Sequence, residues 1–334
     1  MNKKSLHLRK VEQARQCFAD DKGLASTESY VMTFDLQKAL PFPKLTTSTA
    51  YYKRNLYVYN FGIFSFNLRK SFMYMWNETE GGKESQELAS CVVHHLKMHA
   101  STHSKIILYS DSCTGQNRNI KMSLSLMKLS QDPNMEVSSI DHKFLISGHS
   151  YLPNDGDFGI IEKASRKISH IYTPKDWMDI VRESKKKPPK FEVIEMKNSD
   201  FYSTKNLEDA ITNRKKTIDG YDFNWLNIRW LHYERDSPFT LMSKETLNSE
   251  VQLYNIDLRK ISSSCPATYL HNIQQSLLYK QRRAEQKQRR RTWRICCHIF
   301  HLYITHFPNS SCENPTRSLK SLEPEDEGTE YIFL

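Results

Sequence analysis

"ILYSDSCTGQN", residues 107–117, decides how this chain is read. An apolar, β-favouring run stops on a carboxylate, and a polar loop with one glycine follows. The same pattern stands upstream in "YVMTFDLQ", residues 30–37. Both runs predict short buried strands, closed by Asp111 and Asp35. In a parallel strand pair, side chains at the carboxyl ends face a common crevice. Two carboxylates meeting there repel each other unless a cation neutralises them. Their hard oxygens suit Mg²⁺ or Mn²⁺. Two such ions activate a nucleophile and stabilise the leaving oxygen in phosphoryl transfer. Taken singly, each acid is equally well a strand-end turn residue.

Working outward, "NLYVYNFGIF" (55–64) and "RKSFMYMW" (69–76) predict two more strands across a short turn, an antiparallel hairpin. "LPFPKLTTST" (40–49) is a proline-punctuated loop. After Gly81 and Gly82, "SQELASCVVHHLKMH" (85–99) places Leu88, Val92 and Leu96 on one helical stripe. "NRNIKMSLSLMKLSQ" (117–131) predicts a helix capped by Asn117 or Asn119. "MEVSSIDHKFLIS" (135–147) is the fifth strand, and a helix with Ile161, Ala164 and Ile168 aligned follows it. The order β-β-β-α-β-α-β-α over 29–170 matches an α/β, ribonuclease H-like mixed sheet flanked by helices.

Residues 1–28 read as a polar helical fragment or tail. After the linker "SKKKPPK" (184–190), "FEVIEM", "NWLNIRWLHYE" and "FTLMSKE" predict short strands. A helix ending in the basic run 280–294 closes a C-terminal α+β extension over 171–291. Residues 292–334 form an irregular tail.

The 334 residues carry a net charge of +10, which favours a polyanionic partner, nucleic acid first, although a solvated basic surface has the same signature. Seven dispersed cysteines suggest no disulfide framework, and "MNKKSLHLRK" is not a secretory signal, so a reducing intracellular compartment is expected. The run "ICCHIFHLYITHF" (295–307) is too short and histidine-rich to span a bilayer. No membrane association is expected.

A third acid completes a metal site of this kind. Asp155, Asp157 and Glu162 stand at the head of the last core helix, where acids also serve simply as caps. Gln116, Asn117 and Arg118 follow Asp111 closely and suit phosphate or nucleotide binding. Asn and Gln there also cap the next helix. His142 and His149 flank strand five as hydrogen-bonded structural histidines, with His149 also placed to orient the loop or touch phosphate. Cys113 has no base partner and reads as a packed thiol. "CCHIFH" (296–301) lacks zinc-site spacing. The run 280–294 carries eight Lys or Arg against one Glu. Arg282, Arg283, Lys287, Arg289, Arg290 and Arg291 suit phosphate tracking or a nuclear address.

Five stretches together carry a resemblance: "TFDLQKALPFPKLTTSTAYYKRNLYVYNFGI", "YMWNETEGG", "SQELASC", "ILYSDSCTGQNRN" and "HKFLISGHSYLPNDGDFGIIEK". They resemble a domain family of unknown function in transposon-derived genes of insects and other animals. That family is similar to the catalytic core of DDE-type transposases, which have a ribonuclease H-like fold. The resemblance runs from Tyr30 to Arg291. It implies divalent-metal-dependent DNA cleavage and strand transfer, with Mg²⁺ or Mn²⁺, DNA as partner, a nuclear location and room for a homo-oligomer. It assigns the family's acids to Asp35, Asp111 and Asp155, with Asp157 next. Thr114 stands where a second glycine is usual in the "SCxGQN" loop. Longer relatives carry a cysteine-rich N-terminal region that is not seen before residue 30, and the tail after Arg291 is unlike the family. The resemblance therefore also implies a truncated or domesticated copy, including a catalytically silent nucleic-acid binder.

Overall fold

Strand β1 (Ser29–Leu36) runs through the middle of the sheet, and it is apolar on both faces because helices cover both. The computed structural model describes residues 3–44, 55–146, 152–211, 216–259 and 270–281. β5 (Lys105–Ser110) lies parallel to β1 on one side. β3 (Leu56–Ser65) lies antiparallel on the other and forms a hairpin with β4 (Lys70–Asn77). β6 (Ser139–Phe144) continues the parallel set beyond β5. Helix α2 (Ser85–His99) joins β4 to β5, α3 (Ile120–Ser130) joins β5 to β6, and α4 (Pro153–Ser165) follows β6. The element order expected for residues 29–170 is therefore present, with β6-β5-β1-β3-β4 side by side.

The remaining strands add to this same mixed α/β sheet. β7 (Glu192–Glu195) lies parallel to β4 at one edge. β8 (Trp230–Glu234), β9 (Thr240–Lys244) and β10 (Tyr254–Asp257) extend antiparallel from β6 at the other. The short β2 (Leu40–Phe42) pairs with β3, making ten strands.

The two-residue period of the strands sorts side chains into layers. Tyr30, Met32, Phe34, Ile106 and Leu108 face α2 and α3, where Leu88, Val92, Leu96, Met122 and Leu126 complete the larger core. Val31, Ile107 and Tyr109 face the other way, under Ala14, Cys17 and Phe18 of α1 (Lys3–Gly23). Further along that second face, α4 and α5 (Pro174–Ser184) set Phe158, Ile161, Trp177 and Val181 on Val58, Met73 and Met75. Among the described residues no helix is long and apolar enough to cross a membrane.

Three local expectations need correction. Residues 40–42 form a strand where the prolines suggested a loop; Pro41 is tolerated because β2 pairs on one side only, with β3. Residues 270–281 are not a helix. Apart from one 3₁₀ turn (Leu270–Asn272) they form an extended strap over α2 and α3. Side chains meet its backbone: Lys128 Nζ donates to the carbonyls of His271 (2.9 Å) and Ile273 (2.7 Å), and Gln131 Oε1 accepts from Leu270 N (2.8 Å). His142 lies within β6 rather than beside it.

Candidate metal and phosphate site at the carboxyl edge of the sheet

The β1–β5 register sets Thr33 opposite Tyr109. The pairing stops there; continued two residues, past the end of β5 at Ser110, the same register would set Asp35 opposite Asp111, and the two carboxyl groups do interact electrostatically. Both have the parity of Val31 and Ile107, so both project to the α4 side of the sheet. Asp35 Oδ1 accepts from its neighbour Leu36 N at 2.8 Å. Asp111 Oδ1 accepts from Cys113 N at 3.1 Å and from Asn117 Nδ2 at 2.5 Å. Asp155 stands in the first turn of α4, and its Oδ2 accepts from Leu152 N at 3.0 Å. The electrostatics tie the three together. Burial, then the negative charge of Asp111, pushes the Asp35 carboxyl up to about 7; Asp155 adds to the rise and the Leu36 amide opposes it.

Asn154 fixes α4 at this edge. Fully buried, it accepts from Thr33 Oγ1 at 2.7 Å through Oδ1 and donates to Gly62 O at 2.9 Å through Nδ2. Gly62 is the β3 partner of Asp35. A Cβ at Gly62 would stand 2.9 Å from the Phe158 ring and 3.3 Å from Asn154 Nδ2, so its bare backbone lets α4 lie close.

The other acids of α4 point elsewhere. Asp157 is buried against β4, accepts from Ser71 Oγ at 2.7 Å and feels Lys185; burial raises its carboxyl above the usual range. Glu162 pairs with Arg166 at 3.5 Å on the surface. Asp155 is thus the α4 acid that shares a field with Asp35.

The residues expected to touch nucleic acid divide. Gln116 is half-buried and reaches Lys83 O at 3.4 Å. Asn117 is buried, with Nδ2 on Asp111 and Oδ1 without a partner among the described residues, and the cap of α3 is Asn119, which accepts from Lys121 N and Met122 N. Arg118 is buried too, with Nη1 on Ile228 O at 3.1 Å. His142 bonds Ser110 Oγ at 2.9 Å inside the core, and burial drives its pKa down to about 3. Cys113 is half-buried. His149, Arg282, Arg283, Lys287, Arg289, Arg290, Arg291 and the 296–301 cysteine–histidine stretch lie outside the described residues.

Two contributors were not anticipated, Asn154 and Arg229. Arg229 precedes β8 and donates from Nη1 to Ser112 Oγ at 2.9 Å, one residue from Asp111. No local sequence signal marks it, because its partner comes from β5's loop.

Among the described residues no three His, Cys, Asp or Glu side chains are placed to share one metal ion. The Asp155 carboxylate is turned back to the start of its own helix. Asp35, Asp111 and Asp155 share a field without sharing a coordination sphere. Asp35 and Asp111 have donor chemistry that suits a hard divalent cation: carboxylates in no ion pair among the described residues, with the Asp35 carboxyl pushed up to about 7 by burial and then by Asp111, while Asp155 would have to turn from its helix to join them.

Comparisons with models of known protein families, with curated proteins and with solved structures gave no match.

Proposed function

We propose that this chain is a transposase-derived protein with a ribonuclease H-like core, acting on DNA in the nucleus with Mg²⁺ or Mn²⁺. The observation that carries the proposal is the placement of Asp35 and Asp111 at the carboxyl ends of neighbouring parallel strands, where the two carboxyl groups interact electrostatically, with Asp155 in the same field. The central strand order β6-β5-β1-β3-β4, with one antiparallel hairpin and two parallel neighbours, supports the ribonuclease H-like assignment. The net charge of +10 supports a polyanionic partner.

When bound, the cation would supply charge neutralisation and activation of the attacking oxygen. The chain's own part is to hold the donors. Asn117 and the Cys113 amide orient Asp111. Asn154 ties the head of α4 to β1 and β3, which sets how far Asp155 stands from Asp35. The Asp35 proton must leave before its carboxylate can act as a ligand, so binding near neutral pH releases a proton.

Nicking of supercoiled plasmid DNA by the full chain tests the proposal. Cleavage is expected with Mg²⁺ or Mn²⁺, none in EDTA, and a loss of at least about a hundredfold in Asp35→Asn and Asp111→Asn. Cleavage that survives both substitutions would remove the acids from the chemistry. A second reading, a catalytically silent DNA binder, is favoured by the Asp155 cap. DNA binding without cleavage in any metal would select it.

A further inference from the structure

At the carboxyl edge of the sheet stand two guanidinium groups that make no ion pair among the described residues. Arg229 reaches the carboxyl edge of the sheet, its Nη1 2.9 Å from Ser112 Oγ, while Ser112 Oγ donates onward to Leu145 O at 2.6 Å. Behind it, Arg118 is 6% exposed, with Nη1 on Ile228 O at 3.1 Å and its guanidinium 6.0 Å from the centre of the Phe144 ring. Arg118 Nε is buried with no acceptor. Burial and the neighbouring Arg229 both weaken Arg118's hold on its proton, while Asp111 and then Cys113 work the other way.

Burying cations side by side is costly unless charge compensates them. Asp111 compensates in part, but its Oδ1 is already committed to Asn117 and to the Cys113 amide. Arg229 is half-buried, so it retains access to solvent, while the Nε of Arg118 is sealed in. The pair therefore has an outer and an inner member. The outer one can meet an anion, and the inner one fixes the Ile228 carbonyl that leads into it.

We propose that Arg229 is a phosphate-contacting residue, receiving a backbone phosphodiester at Ser112, one residue from Asp111, with Arg118 as the positioning residue behind it. Planar guanidinium donors match phosphate oxygens. A cation at this flank also offsets the repulsion between a phosphate and the carboxylates. The polymer being DNA rests on the function proposed above; the phosphate contact itself does not require that Asp35 and Asp111 bind metal.

The test is DNA binding by the full chain in EDTA, which leaves the metal reading out of the measurement. Affinity for a short fluorescent duplex is followed across a salt series for the parent, Arg229→Ala, Arg229→Gln and Arg229→Lys. The Ala and Gln variants are expected to bind about tenfold more weakly, with the slope of log affinity against log salt reduced by about one. The Lys variant keeps the parent slope. Gln retains a donor for Ser112, so it reports on charge even where Ala melts early. Parent-like affinity and slope in a folded Gln variant would overturn the proposal, as would a parent that does not bind DNA at low salt. Intact Arg229 effects with no metal-dependent nicking would sink the catalytic reading and leave this one standing.

Discussion

Asp35 carries the clearest signature of the site in its proton. Its carboxyl titrates near 7 in the folded chain, against 3.8 ordinarily, because it is buried and faces Asp111 and Asp155. From about pH 4 to about pH 7 the unfolded chain has released this proton while the folded chain holds it. Folding stability therefore falls as pH rises through that window and levels off above it. Asp35→Asn removes the effect. In EDTA the variant should match the parent below pH 4 and exceed it above pH 7 by on the order of 2 kcal/mol, after allowing for solvent screening. Denaturant unfolding of both proteins across pH checks this. The difference between the two is the informative quantity, because buried His142 and His95, both with depressed affinity for protons, bend the parent's own curve the other way below about pH 6.5. A difference that does not change with pH would contradict the shared field. At this scale Asp35 and Asp111 were legible, since each ends an apolar run. The choice of Asp155 over Asp157 was not. Two residues apart on a helix, they point to opposite sides, and the phase of α4 is set by Asn154 bonding to strands far away in sequence. Arg229 was invisible for the same reason.

Among the elements, α4 is the one whose position matters most, and one side chain sets it. Asn154→Ala would leave Thr33 Oγ1 without its acceptor and Gly62 O without its side-chain donor. A loss of about 2 kcal/mol is expected, measured by equilibrium unfolding; a change below about 0.5 kcal/mol would show that α4 is held by packing alone. The central strands were readable because buried parallel-sheet strands are continuous apolar runs. Helix α5 was also written in the sequence but went unread. Thr173 caps it, Pro174 opens it, and the Asp176 side chain accepts from the Thr173 amide at 2.9 Å. The strap at 270–281 misled in the opposite way. Leu270, Ile273, Leu277 and Leu278 have helical spacing, yet Leu270 is buried and Leu277 is 46% exposed, as an extended path allows. β10 is too short for its period to speak.

At the scale of the whole molecule, the first helix belongs to the body of the protein. Lys143 Nζ, nearly buried, is 2.5 Å from Asp21 Oδ2, and Tyr109 OH donates to the same oxygen at 2.5 Å. Those contacts join α1 to β5 and β6 through polar groups, which is why the polar stretch 1–28 gave no hint of packing. Removing α1 would leave Lys143 without its carboxylate under an opened face. The full chain is accordingly the material for the decisive measurement, a calorimetric titration with Mn²⁺ near pH 7, with Asp111→Asn alongside and with duplex DNA present in a parallel series. Saturable binding accompanied by proton release in the parent, and lost in Asp111→Asn, is the predicted result. No saturable binding in the parent with or without DNA, or equal binding by the variant, would contradict the claim that Asp35 and Asp111 form a cation site.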